Sequence, residues 1–181
     1  MIVKETKLKG CFVLEPKVFN DERGYFMESF NKEQFNSAIG SNIEFVQDNQ
    51  SLSAKGVVRA LHYQVGEFAQ AKLVRVLKGS VLDVVVDLRP NSPTFGEHLT
   101  MELSEVNRKQ LFIPKGFAHG FLAVEDNTVF AYKCDQYYNK EAERGIIYDD
   151  PNLRIDWEFP KDQLILSEKD KELPLFKNLS L

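Results

Sequence analysis

Four side chains in this sequence could together move a proton beside a carbonyl group. His62 lies in the stretch 57–64 and His119 in 114–121, apolar β-forming segments that hold two of the chain's three histidines. An imidazole in a strand-lined pocket takes up and returns protons near neutral pH. Lys72 and Tyr132, in the strand-like runs 71–78 and 128–135, add a cation and a phenol. A base, a positive charge for a developing enolate oxygen and a proton donor are the parts that such an abstraction needs.

Taken singly, each residue has an ordinary structural explanation. His62 can be a hydrogen-bonded core histidine, and His119, just after a Pro-x-Gly turn, a wall residue. Lys72 must face solvent or meet negative charge, because an isolated buried ammonium is costly. Tyr132 can be a core aromatic, Asp170 the end of a capping box, and Arg23 a solvated turn residue. His98 reads as an exposed strand-end residue without a role. Only the set points to chemistry. A metal site fits poorly: a metal-holding cupin carries His-x-His, whereas His62-Tyr63-Gln64 lacks the second imidazole, so no metal ligand is assigned. The chain also has no glycine-rich phosphate loop, GxSxG elbow or HExxH motif.

The elements that must hold these side chains are short runs of Val, Ile, Phe and Tyr between turn clusters. Strands are expected over 11–19, 24–30, 43–48, 57–65, 71–77, 80–88, 98–103, 110–113, 120–124 and 128–135. That pattern predicts an all-β fold, an antiparallel sandwich or barrel of the jelly-roll kind with a few short helices. One helix should start at Asn31 as cap, carry Phe35 and Ile39 on its apolar stripe and stop at Gly40. A shorter one should start at Ser167, where Ser167-Glu168-Lys169-Asp170 reads as a capping box. Arg59 and His62 pose a conflict, since an odd spacing points them to opposite faces of a regular strand. If both serve one pocket, the strand must bulge or begin only after Arg59.

With 181 residues, 43% of them hydrophobic, one domain over 1–181 suffices. A net charge of -4 and the lack of a dense basic run argue against nucleic-acid binding. No apolar stretch is long enough to span a bilayer, so no membrane partner is expected, and residues 1–5 are charged and short of a signal-peptide core. Cys11 and Cys134, without CxxC spacing, read as buried free thiols of a reducing compartment, which makes the expected address cytoplasmic.

Several separated blocks carry a family likeness. They are Asp21-Glu22-Arg23-Gly24-Tyr25-Phe26, Phe45-Val46-Gln47-Asp48-Asn49, Arg59-Ala60-Leu61-His62, Ser92-Pro93-Thr94-Phe95-Gly96, the run 113–121, and Leu166-Ser167-Glu168-Lys169-Asp170. In these blocks, and almost end to end, the chain resembles the dTDP-4-dehydrorhamnose 3,5-epimerase family. The resemblance implies a cupin-type jelly roll. It also implies a reaction that inverts C3′ and C5′ of dTDP-4-dehydro-6-deoxy-D-glucose through enolates, in dTDP-L-rhamnose biosynthesis, with no cofactor.

Residue by residue, the resemblance makes His62 the base and Asp170 the carboxylate that orients it. Lys72 is then the enolate-stabilising lysine and Tyr132 the acid on the opposite face of the sugar. His119 becomes a substrate-binding histidine, Arg23 and Arg59 bind the diphosphate, and Glu28, Gln47, Asp48 and Asn49 belong to the nucleotide site. Tyr137 is implied as the aromatic partner of thymine, with Glu143 and Lys169 as further contacts. Among the histidines, His62 is the one for which this reading supplies an orienting acid. The resemblance further implies a homodimer with exchanged N-terminal segments. Ala60, where the family commonly has Gly, and Gln50, where His is frequent, bear on fine specificity. The alternatives are a relative that inverts a single centre and a non-catalytic sugar-binding jelly roll. Binding alone would need no acid–base set.

Overall fold

Turn residues cut the chain into short strands. β1 (Ile2–Glu5), β2 (Phe12–Glu15), β3 (Val18–Asp21) and β4 (Gly24–Met27) precede helix α1 (Lys32–Ile39). After it come β5 (Gln47–Ser53), β6 (Val58–Gln64), β7 (Lys72–Lys78), β8 (Ser80–Asp87), β9 (His98–Ser104) and β10 (Gln110–Ile113). β11 (Phe117–Ala123), β12 (Thr128–Cys134), β13 (Glu143–Gly145) and the one-turn helix α2 (Glu168–Lys171) complete the set. The computed structural model describes residues 1–179.

The strands form two facing antiparallel sheets, ordered β1-β2-β10-β7-β12-β5 and β13-β6-β11-β8-β9, with β3 and β4 as a separate hairpin. This is the jelly roll that the strand pattern predicts. Apolar residues fill three layers. Val74, Val76, Val85, Leu111, Phe121 and Phe130 pack between the sheets. Leu82, Val84, Leu122, Ile146, Leu153 and Trp157 cover the outer face of the five-stranded sheet. Phe35 anchors α1 against Leu14, Leu73 and Phe112 on the outer face of the other sheet. β8 and β11 are therefore buried on both faces along their whole length, which explains why they read as nearly unbroken apolar runs.

Several boundaries differ from the sequence reading. The run 11–19 is two strands, because Pro16 has no N–H for a ladder and breaks it. The strand expected at 43–48 lies at Gln47–Ser53. The side chain of Asn36 takes both the N–H and the carbonyl of Ile43, which holds that segment out of the sheet. β5 is polar and alternately exposed, so its residues carry little strand signal; pairing with β12 defines it. β11 begins at Phe117, three residues before the expected start, and thus includes His119. β1 and β13 were not expected, being short and charged. α1 is as read: Asn31 caps it and Gly40 closes it with φ 65. At α2, Ser167 accepts the amide N–H of Asp170 at 3.1 Å, but the Asp170 carboxylate does not close a capping box. It bonds His62 instead.

The Arg59–His62 conflict is resolved by a bulge. His119 faces His62 across the ladder and Phe121 faces Arg59, so two steps on β11 match three on β6. The extra residue turns Arg59 and His62 to one side while Ala60 and Leu61 both enter the outer core. Opposite the bulge stands Gly120, where a Cβ would lie 2.7 Å from the Arg59 carbonyl oxygen and 2.9 Å from the Ala60 Cβ. Gly120→Ala should therefore destabilise the fold by about 1–3 kcal/mol, as overpacking does, because the nearest obstacle is backbone. A denaturant midpoint indistinguishable from that of the unaltered chain would refute this reading of the bulge.

Candidate active site

A cavity of about 620 Å³ opens between the two sheets. From the five-stranded sheet, β6 contributes Arg59, His62 and Gln64, β11 contributes His119 and Phe121, and β13 contributes Glu143. From the facing sheet come Gln47 and Asn49 on β5, Lys72 on β7, and Phe130 and Tyr132 on β12. Lys169 and Asp170 on α2 close one end. The expected base and the expected acid thus enter one cavity from opposite walls.

His62 Nε2 lies 2.7 Å from Asp170 Oδ1, and Asp170 is itself buried. That contact leaves Nδ1 as the nitrogen free to take a proton and holds the ring in one tautomer and orientation. His62 is not alone in having such a partner. His119 Nε2 lies 2.9 Å from Asp83 Oδ2, and Asp83 has no exposure to solvent. The expectation that only His62 has an orienting acid is therefore corrected. Asp83 was legible in principle, since a carboxylate inside Val81-Leu82-Asp83-Val84-Val85 has to find a partner when that strand is buried.

Lys72 Nζ lies 5.9 Å from the centre of the Tyr132 ring. Burial pushes its ammonium below the ordinary lysine range, against the pull of Asp83 and Glu143. Those two carboxylates are already paired, with His119 and Lys169. Burial likewise raises the Tyr132 phenol, which keeps it protonated and able to donate. Among the described residues, Arg59 gives its Nε–H only to Ser53 Oγ, at 3.3 Å, and its guanidinium meets no carboxylate, which leaves it available to an anion. Burial disfavours a charged Glu143, but hydrogen bonds from Lys169 Nζ (2.6 Å) and Tyr138 Oη (2.9 Å) outweigh it and hold the carboxyl below its usual range. Among the described residues, no group of three or more His, Cys, Asp or Glu side chains is placed to hold a metal ion.

Four expected site residues lie elsewhere. Asp48 alternates with Gln47 and Asn49 on β5, so it faces the other side, where Lys133 Nζ bonds it at 2.9 Å. Arg23 is in the exposed β3–β4 turn and pairs with Asp21. Glu28 follows β4 and accepts from Gln34 Nε2 at 3.1 Å, beside α1. Tyr137 is 62% exposed and does not line the cavity, whereas Tyr138 does. The rim aromatic is thus Tyr138, one position on from the residue expected. Tyr138, Gln64, Phe121 and Phe130 are lining residues that the sequence reading did not assign.

Residues 5–178 match the family model described as dTDP-4-dehydrorhamnose 3,5-epimerase. The dTDP-4-dehydrorhamnose 3,5-epimerase of Shigella flexneri is 51% identical over 170 residues, covering 94% of this chain and 93% of the relative. Among solved structures, the Elizabethkingia anophelis enzyme of the same name superposes with a TM-score of 0.95 at 52% identity, covering 98% of this chain and 97% of that one. A Legionella pneumophila dTDP-6-deoxy-D-glucose-3,5-epimerase, solved with dTDP-4-keto-L-rhamnose, gives a TM-score of 0.95 at 46% identity, with coverage of 99% and 94%.

Proposed function

The chain belongs to the dTDP-4-dehydrorhamnose 3,5-epimerase family, and from that premise we propose how it inverts C3′ and C5′ of dTDP-4-dehydro-6-deoxy-D-glucose. The observation that carries the proposal is the entry of a His–Asp pair and a protonated tyrosine into one cavity from opposite sheets. His62, backed by Asp170, takes the proton from the carbon next to the C4′ ketone. Lys72 meets the charge that develops on the C4′ oxygen. Tyr132 returns a proton from the other face, and the enolate collapses to the inverted centre. Both carbons flank the same ketone, so one set of groups serves each in turn, once exchange with solvent has taken the proton from His62 and returned one to Tyr132. Arg59 holds the diphosphate, His119 lines the sugar pocket, and Gln47, Asn49, Glu143 and Lys169 contact the nucleotide sugar. No step calls on a metal or a redox cofactor.

The working unit is a homodimer. Phe19, Tyr25 and Phe26 on the β3–β4 hairpin and Ile2 on the edge strand β1 are exposed, with Phe26 at 70%. A second copy would cover this apolar patch and the open β1 edge. Arg23 and Glu28 lie outside their own cavity, and a partner's cavity gives them a nucleotide to meet. The solution mass should therefore be twice 20.8 kDa. The proposed address is cytoplasmic, supported by two buried free thiols at Cys11 and Cys134. No helix among the described residues is long and apolar enough to cross a membrane.

Turnover in deuterated water tests the function. Deuterium should enter at both C3′ and C5′ with inversion. Label at one carbon alone would identify a single-centre epimerase, and no label would leave only a binding module. The depressed Lys72 ammonium adds a pH dependence. The charged form is the active one and loses its proton below the usual lysine range, so the alkaline limb of kcat should set in there. Lys72→Arg should remove that limb, because a guanidinium does not titrate in this range. An unchanged limb would assign it to another group.

A further inference from the structure

We infer that Gln64 is a positioning residue: it locks the cavity rim around Tyr138 and so governs how tightly the nucleoside end of the substrate is held. The inference rests on the nucleotide-sugar reading above. Gln64 is the buried last residue of β6, two positions after His62. Its carboxamide has both N–H groups and its carbonyl engaged. Nε2 donates to the carbonyl oxygens of Phe68, at 2.7 Å, and Tyr137, at 3.1 Å, and Oε1 accepts the N–H of Asn139 at 2.6 Å. All three partners are backbone atoms, drawn from the turn after β6 and the segment after β12.

The tie is completed from the facing sheet, where Gln47 Oε1 accepts the N–H of Tyr138 at 3.0 Å. Three consecutive backbone positions, 137 to 139, are thus held by two glutamine side chains. The ring between those ties is 54% exposed, lines the cavity and belongs to none of the apolar clusters. Its hydroxyl donates to Glu143, which also takes Lys169. Such restraint does little for a core that does not contain the ring, but it pre-organises a flat aromatic at the mouth. The reacting sugar must reach His62, Lys72 and Tyr132, so the rim faces the nucleoside. His62 is held separately, by Asp170 and by its register with His119.

Gln64→Met keeps the length of the side chain and removes all three bonds. The Kd for dTDP, read by calorimetry, and the KM for the nucleotide sugar should each rise about tenfold, with kcat within about twofold. In a Tyr138→Ala background the same change should add nothing, because its route through Tyr138 is gone. If Gln64→Met does not fold, Gln64→Glu, which keeps the acceptor for Asn139, carries the same test. A fall in kcat as large as that in kcat/KM, or effects of Gln64 and Tyr138 that multiply independently, would overturn the inference. An unaltered chain that neither turns over the sugar nor binds dTDP would instead overturn the functional reading on which it rests.

Discussion

His62→Ala should lower epimerisation by roughly 10²–10⁴-fold, the usual cost of losing a general base, while dTDP still binds. The side chain removed is partly exposed, and its one side-chain hydrogen bond among the described residues is the 2.7 Å bond to Asp170. Ser167 would still cap α2 through the Asp170 amide, so Lys169 and Glu143 should keep their places at the other end of the cavity. Asp170 would be left as a buried carboxylate without its partner, at a cost of about 1–3 kcal/mol that unfolding curves can read. The comparison with His119→Ala is decisive, because His119 has a carboxylate of its own in Asp83. A near-normal rate in His62→Ala together with collapse in His119→Ala would transfer the base role to the second pair. Loss of dTDP binding in His62→Ala would show that the cavity itself had changed.

Tyr132→Phe should separate proton exchange from inversion. The phenol is removed, but His62 and Lys72 can still take a proton from the substrate and hold the enolate. His62 can then return a solvent proton to the face it came from, which exchanges hydrogen without inverting the centre. Inversion should fall roughly 10²–10⁴-fold, as expected for a lost general acid, and wash-out of the C3′ and C5′ hydrogens should fall much less. The ring remains packed beside Phe130, whose centre lies 6.1 Å away, so the wall should hold its shape. The opposite-wall arrangement of His62 and Tyr132 is what makes the two readouts separable. Equal loss of exchange and inversion would mean that Tyr132 is needed before the enolate forms.

Local pattern made much of this protein readable in advance. Turn clusters between short β-branched and aromatic runs predicted an antiparallel jelly-roll sandwich or barrel, and cap chemistry at Asn31 and Gly40 located α1, because these signals act within a few residues. The break in β6 was legible as either a bulge or a strand that begins after Arg59, and the structure shows the bulge at Ala60–Leu61. If Arg59 and His62 share a pocket, period-two alternation cannot hold between them. The family blocks contain His62 and Asp170, the strand-like runs 71–78 and 128–135 supplied Lys72 and Tyr132, and the cavity contains all four.

What the sequence could not decide depends on contacts far apart in the chain. Asp83 meets His119 across 36 residues, a pairing that neither spacing nor the family likeness supplied, whereas the likeness did supply Asp170 for His62 across 108. No spacing rule ranks one carboxylate over another until the sheets close. β5 reads poorly because its inner residues line a cavity instead of filling a core, so burial leaves no apolar trace in them. The choice between Tyr137 and Tyr138 follows from Gln64 and Gln47, which clamp that segment from two different strands. Asp48, sitting between two cavity residues, is turned outward by strand geometry alone, once the true limits of β5 are known. Sequence by itself determined which chemical groups are present and which apolar runs form most of the strands. Tertiary structure decided which groups meet, because hydrogen bonds across sheets and loops are selected by the packing of the whole chain rather than by any neighbour in it.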